Sequence, residues 1–465
     1  MLLSKVSLSV RPFAARQKLY LVLTGILTAC SGGNNANGIT PTQLHSFSSS
    51  ATVEPQVVER GDGSQLIVFP VSQDTGALPS DLLLHRGKMW FAQSNETAIG
   101  SISRAGTVSL FAVAGGASGY TSSLIRGPKD VLWFVGYSES ANSYFIAYKT
   151  ASGNATEVTL PLPTGLSAPS PPCPQALAKG SDEAVWFTDP CNAAIGRVDP
   201  TTYQVTAEYQ TPSAKQPESM VEGRDGDLYF IESNTDFARA DPKLAGASTF
   251  ITEFPFDQPG RGGFPVNLIS TPKGIFFAYR GAGCNFSCNG IGTIDVGSAP
   301  SATLFASQPN SVRPNAIALG PDGNIWFSDS EDILPDQIRT MTPSGTFNGA
   351  VIPNVVLSSN LALGPDKNMW LSDSSGNIDV VVVNPQMVMP DALSLNAIGQ
   401  SQALQALETG ASLTVRSTDV RVAVVALQTS GTWVVTSTGF GDCTLKVRDR
   451  HDNVTDVPVS VATQN

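Results

Sequence analysis

Histidine is scarce: three residues in 465, which leaves little material for histidine-based acid–base catalysis or a His-rich metal site. Charge is scarce too. Asp, Glu, Lys and Arg make up 14% of the chain, against roughly a quarter in ordinary globular proteins. The 28 basic side chains are outnumbered by 39 acidic ones, for a net charge of −11, so the basic patch of a sequence-independent nucleic-acid binder or a polybasic membrane reader is missing. What is plentiful is 42 Gly and 32 Pro beside 41% hydrophobic residues, a mixture that favours many short strands and turns over helices. The length allows two or three domains, or one repeat array with an appendage.

The N-terminal residues read as an address. Lys5, Arg11, Arg16 and Lys18 precede an apolar run, Leu19 to Leu27, too short to span a bilayer as a helix and laid out like a secretory signal. The run closes in Leu27-Thr28-Ala29-Cys30. This resembles the bacterial lipobox, whose cysteine is lipidated and becomes the mature N-terminus. Residues 1–30 are therefore expected to be a lipoprotein signal peptide, with Cys30 as the lipidation site. Residues 31–64, rich in Ser, Gly, Asn and Thr, are read as a flexible tether. The expected location is the cell envelope, at the outer membrane or cell surface, with the membrane reached through the lipid only. Two local disulfides fit export: Cys173 with Cys191, and Cys284 with Cys288 in a Gly-rich loop. Cys443 is left over.

An internal repeat organises the middle of the chain. WFAQ at Trp90, WFVG at Trp133, WFTD at Trp186, YFIE at Tyr229, FFAY at Phe276, WFSD at Trp326 and WLSD at Trp370 are spaced 43, 53, 43, 47, 50 and 44 residues apart. Five of the six tryptophans fall on this one position. Most copies follow an alternating apolar stretch and a turn, as in AIALGPDGNIWFSD (Ala316 to Asp329), where Pro, Asp and Gly supply the tight reversal. A third strand such as AIGRVDP (Ala194 to Pro200) and a fourth such as YQVTAEYQ (Tyr203 to Gln210) complete a four-stranded unit. That is the period of a β-propeller blade, and seven copies predict seven blades over residues 65–385. The last copy holds only three strands. QLIVFPV (Gln65 to Val71) is available to supply its outermost one.

GPDGNIWFSD and IGRVDP resemble the repeats of virginiamycin B lyase and the wider streptogramin-lyase-like and NHL-type propellers. The resemblance implies the propeller fold. It also implies, for the lyase itself, histidines and glutamates working with a magnesium ion on one face. The histidines here do not follow that pattern. His45 lies in the tether, His85 in the first blade and His451 near the C-terminus, so no later blade has one. No G-x-S-x-G nucleophile motif occurs either.

From residue 390 the blade signature stops. SLTVRS, RVAVVAL, TWVVTS, CTLKVRD and VPVSVA read as strands of a small sandwich over 390–465, with Trp433 filling its core. GDCTLKVRDRHDNVTDVPVSV resembles bacterial Ig-like modules. The fold expected is thus all-β: a seven-bladed propeller followed by an Ig-like β-sandwich.

Two sets of residues repeat around the expected ring. Asp189, Glu232, Asp329 and Asp373 each stand three residues after the repeat aromatic. Converging on the channel mouth they would hold Ca²⁺ or Mg²⁺; separately, each would accept N–H bonds of its own loop. Ser80, Ser123, Gln175, Ser219, Asn267, Asn315 and Asn360 stand nine to eleven residues before the aromatics, where the chain enters the innermost strand. One polar side chain per blade suits capture of a polar ligand at a shared mouth. Arg126, Arg280 and Arg313 are placed near the same rim. The expected function is non-enzymatic binding of an extracellular ligand, glycan or protein partner. A carboxylate- and metal-dependent lyase or hydrolase, and a passive structural role, are the alternatives; a nucleic-acid partner is not expected.

Overall fold

The computed structural model describes residues 50–59, 65–113, 118–166, 168–233, 236–256, 263–281, 289–297, 299–306, 312–330, 336–352, 358–382, 388–389, 392–406, 413–428, 432–448 and 454–462. The leader with Cys30 and His45, the Cys284–Cys288 loop and His451 lie outside these residues. Among the described residues no helix is long and apolar enough to cross a membrane.

Seven antiparallel sheets follow one another along the chain. Their innermost strands are Pro79–His85, Gly119–Arg126, Leu177–Lys179, Pro217–Glu222, Gly263–Thr271, Pro314–Leu319 and Ser358–Leu363. Each neighbours the next, and the last neighbours the first, so the sheets form a closed ring of blades numbered 1 to 7 here. In blade 7 three strands come from the end of the repeat region, and the fourth is Gln65–Phe69, which pairs with Ile378–Val381. The ring is closed by chain that precedes blade 1.

Two strands fall in the stretch read as tether. Ser50–Thr52 pairs with the outer strand of blade 1, and Gln56–Glu59 pairs with Gln65–Phe69. Val53 between them is fully buried, its N–H bonded to the Gly106 carbonyl. The polar composition that suggested a linker therefore belongs, from Ser50 onward, to edge strands, which need few apolar side chains.

Adjacent aromatics in a strand point to opposite faces of the sheet, and this holds the ring together. The first aromatic of each copy packs in the seam with the next blade, against the residue after that blade's own repeat aromatic. Trp90 shares a cluster with Phe134, Trp133 with Phe187, Trp186 with Phe230 and Tyr229 with Phe277. Phe276 meets Phe327, Trp326 meets Leu371 and, across the closure, Trp370 meets Phe91. Seven seams thus replace one central core. Within each blade, small residues admit the large rings. At Gly364 an added Cβ would lie 2.1 Å from the Trp370 indole, and at Gly196 one would lie 2.0 Å from the Phe187 ring.

The described residues between 388 and 462 form two four-stranded sheets packed face to face, as expected for a sandwich. Their inner faces meet in a core of Leu393, Leu404, Val415, Val435, Leu445, Val457 and neighbours. Cys443 is buried there, and Trp433 packs at its margin, only partly buried.

Candidate functional site

All innermost strands start at the same rim of the ring, called the upstream rim here, and the second strands end there. At that rim the inner strands are irregular. Register shifts occur between Pro79 and Leu82, Ser122 and Ile125, Pro217 and Met220, Val266 and Leu268, Pro314 and Ile317, and Ser358 and Asn360. In blade 3 the Gln175 N–H reaches the Thr188 carbonyl, and the Thr188 N–H reaches Ala176. A β-bulge puts extra residues opposite a single partner and re-aims their side chains. Every polar residue of the expected ring lies at or within a residue of such an irregularity. Ser123 and Asn267 take left-handed backbone there, with φ of 52° and 51°, a conformation costly for serine and better tolerated by asparagine.

The ring proves to hold two consecutive positions rather than one. Counted from the buried residue after the bulge, Ser123, Ser219, Asn267 and Asn360 align with Asp81, whereas Gln175 and Asn315 align with Ser80. Asp81, which the repeat spacing did not single out, is central to the upstream rim. It accepts from the Ser123 N–H and, at 3.0 Å, from Asn360 Nδ2, so it ties blade 1 to both neighbours. The signal that locates it is its position next to Ser80, read from the apolar residue instead of the aromatic.

Several of these side chains link blades. Ser123 Oγ accepts from the Leu177 N–H at 2.9 Å, and Ser219 Oγ from the Leu268 N–H at 3.1 Å. Asn267 Nδ2 donates to the Asn315 carbonyl at 2.7 Å. Arg280 Nε donates to the Pro314 carbonyl at 3.2 Å, and the Arg313 N–H donates to Asp329 Oδ1 at 2.6 Å, so both arginines stand at this rim between blades 5 and 6. Gln175 and Asn267 are exposed, and Ser80, Ser123, Ser219, Asn315 and Asn360 are half-buried. Arg126 is at the other end of its strand. There it pairs with Asp130 at 2.6 Å, and Asp130 also pairs with Arg86 and lies 3.6 Å from His85, because Gly119–Arg126 runs eight residues from the upstream rim and Arg126 is its last.

The four acidic residues end their second strands at the upstream rim but are all buried, each within its own blade. Asp189 accepts from the Cys173 and Cys191 N–H groups and from Asn192 Nδ2. Asp373 accepts from the Ser375 and Asn377 N–H groups and from Asn377 Nδ2. Asp329 pairs with Arg339 at 3.2 Å; burial raises its carboxyl, while the Arg313 N–H and Arg339 pull the other way. Glu232 has no hydrogen-bond partner at either oxygen. Burial pushes its carboxyl up to about 8, with Glu253 adding, Lys215 opposing and Asp236 adding. Cys173 and Cys191 form a disulfide that pins the start of blade 3 to its own rim loop.

Residues 58–283 match the Virginiamycin B lyase family. The chain carries a virginiamycin B lyase-like β-propeller. Two solved lyases share its fold: a streptogramin B lyase, 22% identical over 65% of this chain and 93% of that one with a TM-score of 0.51, and a catalytically inactive virginiamycin B lyase from Staphylococcus aureus with quinupristin, 21% identical over 70% and 98%, also 0.51. The extracellular domain of a one-component system from B. thetaiotaomicron is 11% identical over 88% of this chain and 62% of that one, with a TM-score of 0.53. No curated protein matches the chain.

The residues of this virginiamycin B lyase-like propeller do not fit a shared magnesium or calcium ion. Among the described residues, the only group of three or more metal-ligand side chains close together is Cys173, Asp189 and Cys191, and its cysteines are bonded to each other. The four carboxylates do not converge, because each is buried within its own blade, three of them held by groups of that blade. His85, the one described histidine, is buried at the downstream end, where burial lowers its pKa against the opposing pull of Asp130.

Proposed function

We propose that this propeller is a binding protein that captures a ligand at its upstream rim, outside the cytoplasm and tethered through Cys30. The observation that carries the reading is the bulged polar ring: every blade breaks the regularity of its inner strand at the rim to present hydroxyl or amide groups. The left-handed backbone at Ser123 and Asn267 belongs to this bulged geometry. Export is supported by the Cys173–Cys191 disulfide, and the sandwich, taken as an Ig-like module, would serve as an appendage of the same display.

Catalysis of the lyase type is the second reading, favoured by the family match and by the buried Glu232 carboxyl. One experiment separates the two. The purified chain is screened by thermal shift against a ligand library that includes a cyclic depsipeptide, because a ligand of the folded form raises the melting temperature by mass action. A stabilising ligand whose effect is lost in Gln175→Ala and Asn315→Ala is the expected result. Opening of the depsipeptide ring, abolished by Glu232→Gln, would replace binding with catalysis.

A further inference from the structure

Two blades differ from the rest at the upstream rim. The second residue of the innermost strand is Tyr120 in blade 2 and Phe264 in blade 5. Both stand ahead of the bulge, and both are large side chains left open to solvent, at 37% and 40%. Blades 2 and 5 lie on opposite sides of the ring, three blades apart one way and four the other. Two aromatic residues therefore stand at the upstream rim on opposite sides of the ring.

Tyr120 is held by its neighbours. It stacks on Tyr137 with ring centres 5.9 Å apart, and Tyr137 packs on Tyr144 at 4.9 Å, a row running outward along the blade. Tyr137 is fixed in turn by its hydroxyl, which donates to Asn142 Oδ1 at 2.6 Å. An aromatic braced in this way presents contact area at low entropic cost.

Between the two aromatics the rim is polar and its charged side chains are few: Glu218, in the bulge of blade 4, is half-buried with its carboxyl raised by burial, and Arg313 is half-buried. Gln175, Gln216 and Asn267 are exposed amides. Asp81 is engaged by the Ser123 N–H and Asn360, and Arg280 by the Pro314 carbonyl and Ser330. A ligand suited to this mouth offers flat C–H faces to the aromatics and many neutral donors and acceptors to the amides. Asp81 and Arg280 already have partners inside the protein, so the exposed neutral amides are the groups this mouth offers most freely.

We propose that the upstream rim binds a neutral glycan, with Tyr120 and Phe264 stacking on sugar rings and the amides of Gln175, Gln216 and Asn267 reading hydroxyls. The inference rests on the reading of this rim as the binding face and adds the ligand's class. The aromatics set affinity, since buried aromatic anchors dominate such contacts. The amides set orientation, because a site built to bond hydroxyls discriminates against ligands that lack them.

Isothermal titration of the full chain with cellohexaose, xylohexaose, mannohexaose and chitohexaose tests this. Saturable binding of at least one is expected. Tyr120→Ala and Phe264→Ala should each weaken it about tenfold, and Tyr120→Phe should retain it, with melting temperatures of the variants matching the parent chain. If none of the four binds, or if both alanine variants bind like the parent, the glycan assignment is overturned. A cyclic depsipeptide is titrated in parallel. Depsipeptide binding that Gln175→Ala abolishes, without any hexasaccharide binding, overturns the glycan and leaves the rim; hexasaccharide binding indifferent to every rim variant overturns both.

Discussion

Glu232 is a carboxyl with no hydrogen-bond partner inside blade 4: fully buried, neither oxygen hydrogen-bonded. Ionising it there is costly, which is why its pKa rises from 4.5 to about 8. Between these two values the folded state keeps a proton that the unfolded state has released, so stability falls as pH rises through this window. Glu208 adds to the slope, its carboxyl raised by burial and by Asp189 beside it. Melting followed from pH 5 to pH 8 is expected to show a falling midpoint, with Glu232→Gln flattening part of the fall. A Gln variant with the parent's slope would show that the carboxyl is solvated. The tract of sequence around Tyr229 could place Glu232 at a rim but not bury it, since burial depends on the neighbouring blade. The same limit explains the metal expectation: spacing shows that carboxylates recur, whereas convergence depends on which side of each sheet they occupy.

At the scale of the element, the hairpin turn explains the repeat in atomic terms. In GPDKNMW the Asp366 side chain accepts from the Asn368 N–H at 3.1 Å and from the Trp370 indole at 2.9 Å. Asp322 serves Trp326 in the same way at 2.8 Å, Asp182 serves Trp186 at 3.0 Å, and Asp225 takes the Tyr229 hydroxyl at 2.8 Å. The aspartate is thus part of the seam, satisfying the polar edge of the aromatic that joins two blades. Asp366→Ala leaves the buried indole N–H unpaired and is expected to cost about 1–3 kcal/mol in urea unfolding; a change below about 0.5 kcal/mol would contradict the account. Blade count, strand order and this turn were legible because they repeat with the aromatics. The two-position polar ring was not, because a bulge adds residues without changing composition. Ten residues before Trp90 stands Ser80, whereas the residue just before the buried Leu82 is Asp81, so the two counts select different neighbours in blade 1. Arg126 was misplaced for a related reason: Gly119–Arg126 spans eight residues, long enough to carry its last side chain to the opposite rim.

For the whole molecule, closure is the decisive contact. Gln65–Phe69 joins blade 7 through Leu66, buried with Trp326 and Leu371, and Phe69, stacked on Trp370 at 5.7 Å. Removing residues 50–69 opens the ring at the seam where Trp370 meets Phe91, so calorimetry should show a lowered and broadened transition, whereas an unchanged endotherm would mean that the seams hold without it. The aromatic repeat made the ring legible, and the incomplete seventh copy pointed to where it shuts; the contribution of Ser50–Thr52 and Gln56–Glu59 was hidden by their tether-like composition. The arrangement also constrains biosynthesis. Strand Gln65–Phe69 leaves the ribosome roughly 300 residues ahead of Ile378–Val381, which at about 5–20 residues per second is a wait of tens of seconds. During that interval a nascent edge has no mate of its own and must be kept from pairing with strangers.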